Sequence, residues 1–200
     1  FRGVDAVLTA PATTPAEHRN HHLVGGVDWG KSHDFTVISI FCVDCKCEVD
    51  IDRFNQVGWD FQRGRLSAIA EKWNVADLLV ETNSIGDPNL AELRKILPEG
   101  MNAIGKNMNS KTKPKFVQDL AIAIEHQRGR WLPHRQGRFE LVSYAAETLQ
   151  SGYTRYGAPE GGYDDTVVAR MLAWQGARVY IKRVPEDEII EGMQIGRAHV

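Results

Sequence analysis

At 200 residues, 42% hydrophobic and 25% charged, the chain has the size and make-up of one globular domain with a core of its own. A net charge of −2 excludes a broadly basic protein that coats nucleic acid indiscriminately, yet leaves room for an acidic metal site within a local basic surface. No apolar run reaches the ~18 residues of a membrane span, and no basic start followed by an apolar core marks a secretory signal.

The chain opens on Phe1 rather than Met. Residues 1–22, with Pro11, Pro15 and His21-His22, read as a linker entering a domain. "LVGGVDWG" is then a short apolar strand ending at Asp28, "DFTVISIFCV" is rich in β-branched and aromatic residues, and "CEVDIDRFNQ" alternates apolar with polar. Three strands with short connections predict an antiparallel meander. Cys42, Cys45 and Cys47 fall where the second hairpin turns. Three thiols make no full disulfide set, which suits a reducing compartment, and without an evident fourth ligand they argue against zinc.

The rhythm then changes. Phe61, Leu66, Ile69, Ala70 and Trp73 have helical spacing, "VADLLVET" is a buried strand ending at Glu81, and Asp87-Pro88 opens a second helix. "MNAIG" is a short fifth strand, and a third helix starts near Pro114. "RWLP" precedes a helix over "FELVSYAAETLQ", a turn-rich stretch runs to Gly162, and a helix after Asp164 closes the domain. The expected domain is 23–180 with a tail over 181–200. Its last six residues, Ile195–Val200, spell the translation of a sequencing adapter and are set aside from fold reasoning. Three antiparallel strands followed by strand–helix alternation predict a mixed α/β sheet of five or six strands with helices on both faces. A right-handed crossover places the fourth strand parallel to and beside the first, so Asp28 and Glu81 meet at adjacent C-terminal strand ends.

"GGYDDTVVARMLAW" sets Asp164 and Asp165 between a flexible Gly-Gly and an apolar helix. Capping accounts for one Asp well and for the second only loosely. With Asp28 and Glu81 they form a cluster whose charges cannot all persist at short range without a cation. Hard oxygen ligands favour Mg²⁺ or Mn²⁺, and a pair of such ions ~3.5–4 Å apart serves phosphodiester hydrolysis. Asp34 fits a turn acid better than a ligand. Lys106, Lys111, Lys113 and Lys115 form the clearest basic stretch, balanced between a solvated loop and contact with phosphates; Lys31, after the first strand, is a further candidate for phosphate contact, balanced against a solvated hairpin. Arg128, Arg130, Arg135 and Arg138 are further cations on faces that sequence alone does not orient.

"GGVDWGKSHDFTVI", "LLVETNSIGDPNLAELR", "KPKFVQDLAIAIE" and "YDDTVVARMLA" occur, in order, in a pattern that resembles the nuclease domain of the large terminase subunit of tailed bacteriophages. The resemblance covers about Leu23 to Trp174. It implies an RNase H-like fold and a metal-dependent endonuclease cutting double-stranded phage DNA during packaging in the cytoplasm of the infected host. It further implies metal ligation by Asp28, Glu81 and Asp165, with Asp164 beside them as an alternative ligand that also caps the helix. Lys115 falls where relatives often carry a lysine. Many relatives have His where this chain has Tyr163, which puts a metal-binding role for that position in doubt. Implied partners are the portal protein, the small terminase subunit and an ATPase domain attached through residues 1–22; the isolated domain is expected to be monomeric. No phosphate-loop motif G-x-x-x-x-G-K-[ST] occurs. Competing readings are a resolvase or transposase-type nuclease of the same superfamily, an actin-like or sugar-kinase ATPase fragment, and a nuclease-dead DNA-docking domain.

Overall fold

The computed structural model describes residues 1–30, 34–83, 86–148 and 154–181. Its centre is a five-stranded sheet of order β3-β2-β1-β4-β5, with β1 Leu23–Asp28, β2 Thr36–Cys42, β3 Cys47–Phe54, β4 Asp77–Glu81 and β5 Asn102–Lys106. The first three strands run antiparallel, and β4 and β5 lie parallel to β1. This is the expected meander and crossover.

Side-chain alternation along the strands sorts the core into two layers. Leu23, Val27, Leu78 and Val80 pack beneath helices α2 (Trp59–Trp73) and α3 (Gly86–Ile96). Val24 and Leu79 face the opposite layer, built from α4 (Lys113–Glu125), α5 (Arg135–Ser143) and α6 (Asp165–Ile181). Asp28 and Glu81 share the parity of Val24 and Leu79, so both point to the α6 side. α6 lies so close to β1 that a Cβ on Gly26 would stand 2.0 Å from the Ala169 carbonyl oxygen and 2.3 Å from the Ala173 nitrogen. Trp73 and Trp174 are core residues, as their helical spacing predicts.

Two expectations change. Residues 1–22 do not run free of the domain. Val4 and Val7 of the short helix α1 (Val4–Val7) are buried, Trp131 N–H donates to the Val7 carbonyl at 2.7 Å, and Pro15–His18 form a 3-10 turn. The apolar residues interleaved with proline and threonine find core partners that local composition does not reveal. The helix expected over "FELVSYAAETLQ" stops at Ser143. Tyr144 takes extended backbone angles and buries its ring against Phe1. Ala145–Thr148 (β6) then pairs antiparallel with Thr154–Gly157 (β7). Cross-strand pairing outweighs the helical propensity of the Ala-Ala-Glu run. The tail over 182–200 lies outside the described residues.

Candidate metal centre

The parallel register aligns Val27 with Val80, which sets Asp28 beside Glu81 at the ends of β1 and β4. The two carboxyls are hydrogen-bonded to each other. Asp28 is buried, and that burial, reinforced by Glu81, Asp165 and Asp164, raises its pKa well above the usual carboxylate range. Two ionised carboxylates cannot both persist at this contact without a proton or a cation to offset their repulsion. Glu81 also accepts from Asn83 Nδ2 at 2.7 Å, and Asn83 is itself tied to the Met108 backbone.

Asp164 and Asp165 approach from the N-terminus of α6. Burial pushes the Asp165 carboxyl up to about 7, with Glu140 the next cause, partly offset by Arg53. Its Oδ2 is buried without a hydrogen-bond donor among the described residues; the nearest cation, Arg53, stands 3.7 Å away. Asp164 is raised by burial and held down by Lys113, whose Nζ lies 3.6 Å from Asp164 Oδ2.

A residue of another helix also reaches the start of α6. Val168 N–H bonds to the Asp164 carbonyl at 3.0 Å, which starts the helix there. The buried Glu140 carboxylate accepts from Thr166 N–H at 2.8 Å and from the Thr166 hydroxyl. A carboxylate from α5 thus satisfies one N–H of the helix start.

The sequence also gave no sign of Arg53, from β3. Its guanidinium stacks 3.2 Å from the Phe35 ring centroid and 5.5 Å from that of Tyr163, and reaches Glu140 at 3.5 Å. Tyr163 meets Phe35 edge to face at 5.4 Å and so helps hold the cation that leans on Asp165.

Among the lysines, Lys106 ends β5 opposite Glu81, and Lys113 pairs with Asp164 at the start of α4; both stand at the acid end of the sheet. Lys111 and Lys115 flank Lys113 and are exposed. Lys31 lies outside the described residues. Arg138 is tied to Asp5 at 2.7 Å, and Arg130 bridges to Cys47 at the far end of β3, so neither joins this cluster.

The donor set is oxygen only, mutually repelling, with one carboxylate oxygen buried and unsatisfied. Such a set fits a hard divalent cation, which supplies the positive charge the pocket lacks.

No protein-family model matches the chain. The chain is similar to the large terminase subunit of Thermus virus P23-45, at 26% identity over 182 residues, covering 87% of this chain and 37% of that protein. The large terminase subunit of Thermus phage G20c matches at 25% with the same coverage. The chain thus spans just over a third of the length of these relatives. Among solved structures, the large terminase nuclease of thermophilic phage G20c superimposes with a TM-score of 0.78 at 24% identity, over 88% of this chain and 96% of that one. The nuclease domain of the large terminase subunit of bacterial virus Sf6 has a TM-score of 0.66 at 9% identity, over 86% of this chain and 95% of that one. The RNase H-like fold of the terminase nuclease domains is therefore the fold of this chain.

Proposed function

We propose that this chain is the nuclease domain of a tailed-phage large terminase subunit, a metal-dependent endonuclease acting on double-stranded DNA during genome packaging. The observation that carries the proposal is the meeting of Asp28 and Glu81 with Asp164 and Asp165 in one cluster that Arg53 and Lys113 only partly offset. The G20c nuclease has been solved with bound magnesium and with bound cobalt, and an Sf6 variant with manganese, which supports the same assignment here.

In this proposal Asp28, Glu81, Asp165 and Asp164 hold Mg²⁺ or Mn²⁺. When bound, such ions activate water and stabilise the leaving oxygen of a phosphodiester. The chain's residues prepare for that. A cation held between Asp28 and Glu81 would take the place of the proton that otherwise eases their repulsion, with that proton passing to solvent. Asn83 fixes the orientation of Glu81, and Glu140 fixes the start of α6, so that Asp164 and Asp165 converge from a rigid helix end. Lys106, Lys111, Lys113 and Lys115 supply cations for DNA phosphates on the same side. The portal protein, the small terminase subunit and an ATPase domain of the same polypeptide are its partners in this reading, in the host cytoplasm. No helix among the described residues is long and apolar enough to cross a membrane.

The test is plasmid cleavage with Mn²⁺, Mg²⁺ or EDTA by the chain and by Asp28→Asn, Glu81→Gln and Asp165→Asn. Cutting that requires metal and falls at least ~100-fold in each variant supports the assignment. Cutting that persists in EDTA, or in all three variants, overturns it.

A further inference from the structure

At the opposite end of β1 from Asp28, a second cluster has a different chemistry. His18 and His21 come from the N-terminal segment, Cys42 from the end of β2 and Cys45 from the β2–β3 turn. One ligand atom from each lies within 4.8 Å of every other. The geometry points to a structural zinc site formed by these four residues, which clamps the N-terminal segment onto the β2–β3 hairpin.

The distances carry the argument. Around a tetrahedral zinc with Zn–N near 2.0–2.1 Å and Zn–S near 2.3 Å, the edges are about 3.3 Å for N···N and about 3.6 Å for N···S. In the structure, His18 Nδ1 and His21 Nδ1 are 3.2 Å apart. The sulfurs of Cys42 and Cys45 stand 3.5 and 3.4 Å from His21 Nδ1, and Cys45 Sγ is 3.8 Å from His18 Nδ1. Four side chains from three segments thus trace the edges of one coordination shell, with two nitrogens and two sulfurs.

The surroundings agree. Cys45 N–H donates to Cys42 Sγ at 3.4 Å, which turns the C-x₂-C loop around the sulfur. His18 Nε2 is 2.9 Å from the Thr13 hydroxyl, which donates in turn to Glu17 at 2.7 Å. Holding the remote ring nitrogen this way selects the tautomer whose Nδ1 lone pair faces the cluster, as outer partners of metal-bound histidines do. Soft sulfur with imidazole in a tetrahedral set selects zinc over the hard cation suited to the carboxylate pocket. Cys47, whose sulfur is outside the set, is not a ligand.

The four ligands also explain why the cysteines alone argued against zinc. The missing ligands are His18 and His21, an H-x₂-H pair inside the stretch that reads as linker.

The test is metal content and cobalt spectroscopy on the purified full chain. One zinc per chain, resistant to a large excess of Mg²⁺, is expected. Co²⁺ replacement should give thiolate-to-cobalt charge-transfer absorption and the intense visible bands of a tetrahedral site. Both signals should vanish in Cys42→Ser and Cys45→Ser, and persist in Cys47→Ser and in Asp165→Asn. Zinc removal should expose residues 10–22 to proteolysis. Absence of stoichiometric zinc together with no charge-transfer band in the unmodified chain overturns the proposal, whatever the variants do. A band that survives loss of either cysteine, or one lost with Asp165, overturns it equally.

Discussion

Helix α6 carries two buried charges five residues apart, and their fates differ. Arg170 is fully buried against Glu48, itself fully buried. Arg170 Nε and Nη2 donate to the two Glu48 oxygens at 2.9 and 2.7 Å, Ser39 Oγ donates at 2.7 Å, and Leu132 N–H at 2.9 Å. That carboxylate is saturated by the protein's own donors. Asp165, at the start of the same helix, keeps an oxygen with no donor among the described residues and faces Asp28, Asp164 and Glu140. Burial therefore serves two ends. The saturated Glu48 carboxylate fixes α6 against β2 and β3, although Arg170 Nη1 has no partner among the described residues, while the acid cluster, only partly offset by Arg53 and Lys113, retains an affinity for a further cation.

Removing one partner at each place separates the two roles most sharply. Arg170→Met leaves the Glu48 carboxylate buried without its cation and should cost about 3–5 kcal/mol, read as a fall in the denaturation midpoint. Asp28→Asn should do the reverse without metal: repulsion is relieved, the melting temperature holds or rises, and metal-dependent cutting is lost. A strong loss of stability in Asp28→Asn would erase the contrast.

Gly26→Ala should fall next, at about 3 kcal/mol, because the new Cβ meets backbone rather than a movable side chain. It couples the two regions by pushing α6 off β1. Stability and cutting should decline together, unlike their separation in Asp28→Asn. Circular dichroism melts beside plasmid cleavage check this.

Half of this contrast was legible from the chain alone. Asp28, Glu81 and the aspartate pair are found because each ends or begins an element, and strand parity with a right-handed crossover brings those ends together. The saturating half was not. Glu48 and Arg170 are 122 positions apart and each looks like a surface charge on a strand or a helix. Arg53 and Glu140 sit mid-element with no motif around them. What makes them matter is which faces α5, α6 and β3 present to one another, a tertiary fact without a local signal. The H-x₂-H pair is different. Its spacing matches the C-x₂-C spacing, and a search for the absent zinc ligands upstream would have found it.

pH sharpens the comparison further. Asp165 titrates at about 7 in the fold against 3.8 for its ordinary value. Its folded pKa is raised, so its contribution is complete below pH 3.8 and is lost as pH climbs through about 7. Without metal, stability should fall over that window by ~1–3 kcal/mol, with Asp28 acting in the same direction. His18 and His134, both lowered by burial, act oppositely by gaining stability as pH rises to their ordinary 6.5. Asp165→Asn isolates the acid component. The thermal shift produced by Mn²⁺ should be larger at about pH 8 than at about pH 5, since the ligands must shed protons first. A shift independent of pH would place the metal elsewhere.

The smallest expected effect concerns Lys113, which touches both the pocket and the basic edge. As a surface-accessible partner of Asp164 it contributes at most ~1 kcal/mol to stability. As a phosphate contact it contributes about one unit to the slope of log affinity against log salt. Lys113→Gln should therefore melt within a few degrees of the unmodified chain while binding DNA with a shallower salt dependence. The exposed Lys111→Gln provides the comparison, since it lacks the carboxylate partner. Equal slope changes in the two would place both lysines on the DNA. An unchanged slope in Lys113→Gln alone would assign that lysine to Asp164, where its charge moderates the repulsion that defines the pocket.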